Sequence, residues 1–354
     1  MTAVPRVAID ARILTVQKEL AGVGQYIQEL VKASQQDTMG PVRLVPLSFT
    51  AHHASIMAVP RIGRLPWQSV ALPIHLRQGD YSVFHGPAFS LPPFVKIPAV
   101  VTIHDLAYLR FGETVNDDTR KYLTRVVRHA VGRADRIIVP SAEVKSDVLR
   151  YFPATDDSLI RVIALGSDRL RQIVAVEPLA VPLPFLLHVG TIEPRKNLEF
   201  LLQAFSVLVD RFQVPHHLVL VGGGGWKNHT FYARVQEMKD KHRVHLMGYQ
   251  DDRAVLWYYQ NASLYVMPSH YEGFGLPVME AISNGVPTLA TPTGGVRDLP
   301  NDAGIRLIEP KDPEQWAQAI FDLLTHPVRP TIPVGTWQQA WQEHASLYRE
   351  VCRL

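Results

Sequence analysis

Residues 264–280 read Leu264-Tyr-Val-Met267-Pro-Ser269-His-Tyr-Glu272-Gly273-Phe274-Gly275-Leu276-Pro-Val-Met-Glu280. The opening apolar run predicts a short buried strand, and the apolar spacing after Leu276 predicts a helix over 276–284. Between them Gly273 and Gly275 let the backbone turn sharply, so that N–H groups at the helix start face an anion. Glu272 lies in the loop and Glu280 along the helix. One carboxylate can accept from sugar hydroxyls and the other from neighbouring ribose hydroxyls. A strand that runs into an anion-facing turn and then a helix is the repeating unit of a doubly wound α/β sheet.

The same alternation extends in both directions. Strands are predicted at 185–189, 217–221, 244–247 and 287–290, with helices at 197–212, 232–242, 254–261 and 313–324. Ahead of this series the segment Glu177-Pro-Leu-Ala-Val-Pro-Leu-Pro184 is extended and semi-rigid, as a domain boundary would be. A second series precedes it: strands at 7–10, 42–46, 83–85, 99–103 and 136–139, and helices at 26–33, 118–133 and 142–151. The expectation is an α/β chain of two Rossmann-like domains, 1–176 and 177–335. A closing helical segment, 336–354, carries Trp341, Leu347, Tyr348 and Val351.

Bulk composition agrees. A chain of 354 residues is too long for one ordinary core, and 47% apolar with 19% charged residues excludes a disordered or fibrous chain. The single cysteine, Cys352, excludes an intramolecular disulfide and a cysteine metal cluster. No apolar run reaches the ~18 residues of a membrane span, and no leader pattern opens the chain. The expected location is the cytoplasm. Residues 1–170 hold 20 Lys/Arg against 15 Asp/Glu, a net of +5, which leaves −2 for the rest of the +3 total. That asymmetry suggests an anionic partner for the first half, such as the inner face of a membrane. Arg120, Lys121, Arg125, Arg128 and Arg133 share one helical stretch there. Met57, Leu65 and Trp67, within 56–76, add apolar groups that would serve equally in a core-packing loop. No nucleic-acid partner is expected.

Three further motifs sit at predicted strand ends. Gly190-Thr-Ile-Glu193-Pro-Arg195-Lys196-Asn197 follows the strand at 185–189, where open α/β sheets bind ligands. Arg195 and Lys196 could neutralise a diphosphate there without a metal. Val101-Thr-Ile-His104-Asp105 offers His104 as a contact to a sugar hydroxyl. Gly22-Val-Gly24 suggests a phosphate-facing turn before the first helix, although it lacks the third glycine of the dinucleotide fingerprint. The run Gly222–Gly225 lacks the Gly-Lys-Ser/Thr ending of a P-loop and reads as a flexible loop.

With these residues in view, the chain resembles the large retaining glycosyltransferase family 4, of the GT-B fold, along nearly its whole length. Glu272 and Glu280 match that family's E-x7-E spacing, and residues 190–197 match its donor-phosphate loop. Trp67 to Leu72, His85-Gly-Pro87 and Thr102-Ile-His-Asp-Leu106 resemble a bacterial subgroup associated with mannosyl transfer to surface polysaccharides. The resemblance implies two domains facing across a cleft, with the last helix crossing back to the first. It implies that Arg195 and Lys196 stabilise the departing nucleoside diphosphate. The backbone at Gly273, Phe274, Gly275 and Leu276, with Gly190, would bind donor phosphate, and Glu280 the ribose. Glu272 and His104 would hold the donor sugar, and Gly24 would meet the diphosphate. One departure stands out: Arg297-Asp-Leu replaces the usual Pro-Glu-Val in Thr293-Gly-Gly-Val-Arg-Asp-Leu-Pro300, a change expected to affect a loop near the donor rather than the catalytic set.

The expected reaction is transfer of a hexose from a sugar nucleotide to a glycan or lipid-linked saccharide. Attack is expected from the front face, with neither metal nor cofactor. GDP-mannose is the preferred donor and UDP-sugars are the alternative. A non-catalytic nucleotide-sugar-binding module and a nucleotide-sugar epimerase on the same fold remain open at this point, because a fold alone does not choose among them.

Overall fold

Short apolar strands buried on both faces belong in parallel sheets covered by helices, and both halves of the chain obey that rule. The computed structural model describes residues 4–16, 20, 22–48, 57–58, 67–112, 116–174, 177–225, 229–300 and 302–353. They divide into two units, Met1–Gly166 with Gly335–Leu354, and Ser167–Val334.

The first unit runs β1 (Arg6–Asp10), α1 (Ile13–Val16), α2 (Gly22–Gln36), β2 (Arg43–Ser48), β3 (Met57–Ala58), α3 (Leu72–Gln78), β4 (Val83–Gly86) and β5 (Ala99–Thr102). It continues with α4 (Ala107–Arg110), α5 (Asp117–Arg133), β6 (Arg136–Val139), α6 (Ala142–Tyr151) and β7 (Ile160–Val162). Its seven strands are all parallel, in the order β3-β2-β1-β4-β5-β6-β7. In the register of the central pair, Ile9 lies opposite Pro46 on one side and His85 on the other.

The second unit runs β8 (Phe185–Val189), α7 (Leu198–Phe212), β9 (His217–Val221), α8 (His229–Glu237), β10 (Val244–Gly248) and α9 (Asp252–Asn261). It then adds β11 (Leu264–Met267), α10 (Leu276–Ser283), β12 (Thr288–Ala290), β13 (Ile305–Leu307) and α11 (Pro313–Thr325). The strand order is β10-β9-β8-β11-β12-β13, again parallel. The last helix, α12 (Trp337–Val351), packs on α2 in the first unit and opens with a Thr336–Gln339 capping box. In each sheet the strand order reverses beside the first strand, at β1/β4 and at β8/β11. Open α/β sheets bind their ligands at such switch points, beyond the carboxyl ends of the strands.

Packing accounts for where the helices start and what they cover. Phe205, Leu208, Trp316 and Ile320 fill one face of the second sheet, and Tyr258, Tyr259, Val278 and Ile282 the other. Asn116 caps α5 by accepting from Thr119 N, and Ser141 caps α6 by accepting from Val144 N. The helix expected at 26–33 is longer: it starts at Gly22, because Tyr26, Ile27, Leu30 and Val31 bury one continuous face that outweighs two glycines. The units divide ahead of the Pro-rich segment at 177–184. Leu170 is already buried in the second core and Arg169 is ion-paired there. Trp67, Leu72 and Leu76 pack inside the first core. Ile56, Leu65 and the side chain of Met57 lie outside the described residues.

Candidate active site

The two principal motifs leave the sheet of the second unit from adjacent strands. The chain after β8 makes a tight turn, Pro194–Lys196, and Asn197 in left-handed backbone (φ 54°) starts α7. The Arg195 carbonyl accepts from His270 N at 3.0 Å, and Asn197 Nδ2 donates to the Pro268 carbonyl at 3.2 Å. These two bonds tie the turn to the loop after β11.

Glu272 is the hub of what results. Its Oε1 accepts from Lys196 Nζ at 2.7 Å and its Oε2 from Arg195 Nη1 at 2.9 Å. Arg195 is held in addition by Glu193, through Nε at 3.0 Å and Nη2 at 2.5 Å, and by the Tyr271 carbonyl at 2.8 Å. Burial would push the Glu272 carboxyl up, but Lys196 and then Arg195 bring it down to about 2. It is therefore ionised at neutral pH. Two carboxylates and two cations cancel, so the cationic pair expected from the sequence is already matched before any ligand arrives. Lys196 uses one of its three protons on Glu272, which leaves it donors for a second acceptor.

The turn above this cluster requires glycine. Gly275 has φ 90°, and a Cβ there would come 2.4 Å from Val296 Cγ2. It caps α10, where Pro277 has no N–H and Val278 N donates back to the Gly275 carbonyl at 3.0 Å, so Leu276 carries the amide of that turn without a partner in the helix. Gly294, at φ 60°, packs so closely that a Cβ would lie 2.5 Å from the Glu272 carbonyl oxygen, and Thr293 Oγ1 accepts from Glu272 N at 3.2 Å. The loop after β12, expected to lie near the donor only, thus braces the backbone of Glu272 itself.

Glu280 is separate from that cluster and buried. Its Oε1 accepts from Arg169 Nε and Nη2 at 3.1 and 3.0 Å, and its Oε2 from the Tyr259 hydroxyl at 3.3 Å. Burial pushes its carboxyl up and Arg169 opposes that rise. Burial likewise works against the charge on Arg169, which Glu280 and Asp252 hold in place. Sequence reasoning missed Arg169, since its partners are distant in the chain and no motif surrounds it. It also passed over Glu193, inside a motif it had quoted.

A third unheralded residue is His188, in β8. Its Nδ1 donates to the Val266 carbonyl at 2.9 Å, and its Nε2 is buried with no hydrogen-bond partner among the described residues. Burial, with Lys196 second, brings its imidazole down to about 4. Gly190 sits over both groups: a Cβ there would lie 3.2 Å from His188 Nε2 and 3.5 Å from Lys196 Nζ.

In the first unit, His104 follows β5. Its Nε2 bonds the Pro87 carbonyl at 2.7 Å, and its ring lies edge-on to Tyr26 and Phe89 at 4.7 and 5.5 Å between centroids. Burial lowers its pKa. Gly24 is not in a turn before the helix, as expected, but inside the first turn of α2, where a Cβ would come 2.8 Å from Leu20 Cδ2. The amides of that turn still lack partners within the helix. Among the described residues, no three His, Cys, Asp or Glu side chains are grouped to hold a metal ion. Nor is any helix among them long and apolar enough to cross a membrane.

Comparison with known proteins bears on both units. Residues 21–169 match the model of Glycosyltransferase Family 4, and residues 171–332 that of Glycosyl transferases group 1. The chain is 29% identical over 335 residues to O-antigen chain mannosyltransferase B of Escherichia coli, covering 86% of this chain and 87% of that one. It is 25% identical to D-inositol 3-phosphate glycosyltransferase of Saccharomonospora viridis, covering 94% and 86%. Among solved structures, sucrose-phosphate synthase from Thermosynechococcus elongatus shares the fold with a TM-score of 0.69 at 20% identity, over 99% of this chain and 96% of that one. Anabaena Alr3699/HepE, solved with UDP and glucose, gives 0.66 at 17% identity over 99% and 98%. The two family models meet close to the boundary between the units and together span most of the chain, which is a glycosyltransferase of the GT-B fold.

Proposed function

We propose that the protein moves a hexose, mannose by preference, from a nucleotide sugar to a glycan or lipid-linked saccharide, retaining the anomeric configuration and using no metal. The observation that carries this reading is an ionised, buried Glu272 flanked by Lys196 and Arg195, on the glycine turn that leads into α10. Preorganised donors of this kind stabilise charge that develops on a leaving group in a water-poor site. Lys196 and Arg195 are assigned to the departing diphosphate, with the backbone at Gly190 and at Gly273, Phe274, Gly275 and Leu276 as further donors. Glu280 is assigned to the ribose and Glu272 to the donor sugar. In the first unit, His104 is assigned to a sugar hydroxyl and the opening turn of α2 at Gly24 to an anionic oxygen.

In the step itself the bond from the anomeric carbon to the phosphate oxygen breaks, and the bond to the acceptor oxygen forms on the same face. The acceptor's proton passes to the departing phosphate. Mannose is preferred because the O-antigen relative is named for mannosyl transfer. The test is a donor screen in chelator, GDP-mannose against UDP-hexoses, with the anomer of the product read by NMR. Retention from GDP-mannose supports the reading, and inversion or an absolute metal requirement overturns it.

A peripheral contact with an anionic membrane belongs to the same proposal. α5 exposes Lys121, Arg125 and Arg128 with Tyr122 at 65% exposure, and Arg133 ties its end to the loop that carries Lys96 and Phe94, the latter 68% exposed. Cations beside exposed aromatic rings suit a lipid headgroup surface. Flotation with anionic but not neutral vesicles is expected, and no binding at low salt would remove the idea.

A further inference from the structure

The first unit buries a chain of side-chain hydrogen bonds that leaves α12 and returns to it. Tyr348 Oη lies 2.7 Å from His85 Nδ1, and His85 Nε2 lies 2.8 Å from Thr102 Oγ1. Thr102 Oγ1 is 3.0 Å from Tyr26 Oη, which is 2.8 Å from His344 Nε2, and His344 Nδ1 is 2.6 Å from the Ala340 carbonyl. All five side chains are essentially without solvent contact.

The carbonyl fixes the direction of every link. It can only accept, so His344 carries its proton on Nδ1 and, as a neutral ring, accepts at Nε2. Tyr26 therefore donates to His344 and accepts from Thr102. Thr102 in turn accepts from His85 Nε2, which leaves His85 Nδ1 bare to accept from Tyr348. Burial keeps both imidazoles in the neutral form that this order needs.

Midway, at Tyr26, the chain passes against a residue of the proposed site. Tyr26 lies two residues after Gly24 on α2, and its ring meets His104 edge-on at 4.7 Å. His104 donates through Nε2 to Pro87, so its Nδ1 is the acceptor left for a ligand hydroxyl. We propose that Tyr26 and His344 are positioning residues, through which α12 sets the orientation of the His104 ring. The proposal rests on the functional reading above, which places His104 at the donor sugar. Misplacement of a contacting group by a fraction of its contact distance lowers turnover without touching the residues that hold the nucleotide.

The test has two arms on the full-length protein. Histidine ¹⁵N NMR of the unmodified protein is expected to show His344 protonated at Nδ1 and His85 at Nε2. The opposite tautomer at His85 overturns the directed chain, whatever the protein's activity. His344→Leu, folded by circular dichroism, is expected to lower kcat by about 10–100-fold while its affinity for nucleoside diphosphate, held by the second unit, stays within about twofold. His344→Gln, which keeps an acceptor for Tyr26, is expected to recover most of that loss. If His344→Leu does not fold, Tyr348→Phe removes only the first donor and is expected to give a smaller drop in kcat. Wild-type kcat in a folded His344→Leu, or in Tyr348→Phe when that variant must stand in, overturns the positioning role. Absence of turnover in the wild type with every sugar nucleotide overturns the functional reading instead, and the tautomers still decide the chain.

Discussion

Around their candidate site residues the two units bury polar side chains by different means. The second does it with charge: Glu272 between Lys196 and Arg195, and Glu280 against Arg169, in two ionic clusters. The first does it with neutral groups, a phenol–imidazole–hydroxyl chain in which no member is charged. An ionic cluster is stable only while its charges match, and removing one partner leaves another buried and uncompensated. A neutral chain loses less per missing link and fails instead when a proton is added. Under the proposed function, the charged unit would meet an anionic leaving group and the neutral unit would hold the His104 ring toward a sugar.

The largest effect should come from breaking the charge match. Glu272→Gln leaves Lys196 and Arg195 without their shared carboxylate, and we expect a loss of about 3–5 kcal/mol in urea unfolding. Turnover should fall on the order of 10²–10³-fold, the size seen when a preorganised electrostatic contact is removed. A variant with near-normal turnover would show that the cluster is only structural.

Acid should act next, on the buried histidines before the Glu272 cluster. His344 and His188 stay neutral down to about 4, because burial opposes their protonation, whereas in the unfolded chain they charge near 6.5. The unfolded state binds more protons between those values, so stability falls as pH drops from 6.5 to 4, by at most roughly 3 kcal/mol per histidine. Glu272 has a lowered pKa, so its contribution is full above 4.5 and is lost only as pH falls toward about 2. Unfolding free energy that stays flat from pH 7 to 4.5 would contradict the neutral chain. His344→Gln should flatten part of that slope.

A smaller effect is expected at the anion-facing turn. Gly275→Ala forces a Cβ into left-handed backbone and against Val296, at a cost of about 1–3 kcal/mol. Donor affinity should fall with it. Unchanged affinity would detach the turn from the site.

The sequence exposed the charged unit more fully than the neutral one. Strands 185–189, 217–221 and 264–267 stand where their apolar runs placed them, and the motifs with Arg195, Lys196 and Glu272 follow β8 and β11 as read, although the ion pairs between them were not foreseen. Those motifs are local, and each carries its glycines and charges within a few residues. β3, β7 and β13 escaped notice because they have only two or three residues, and β7 and β13 alternate apolar side chains with exposed arginines. The start of α2 was hidden by two glycines whose propensity burial overrides. Arg169 and the His85–Tyr26–His344 chain could not be read from sequence. Their partners come from distant segments, and a lone buried histidine or arginine looks like any other core or surface residue.

The central claim is that the charged cluster of the second unit holds the diphosphate and ribose of a sugar nucleotide. Calorimetric titration of GDP and GDP-mannose, then UDP and UDP-hexoses, into wild type and Glu280→Ala in the presence of chelator tests it most directly. We predict binding to the wild type that Glu280→Ala weakens by tenfold or more, about 1.4 kcal/mol. Equal binding by the two proteins, or none by the wild type to any nucleotide, would contradict it.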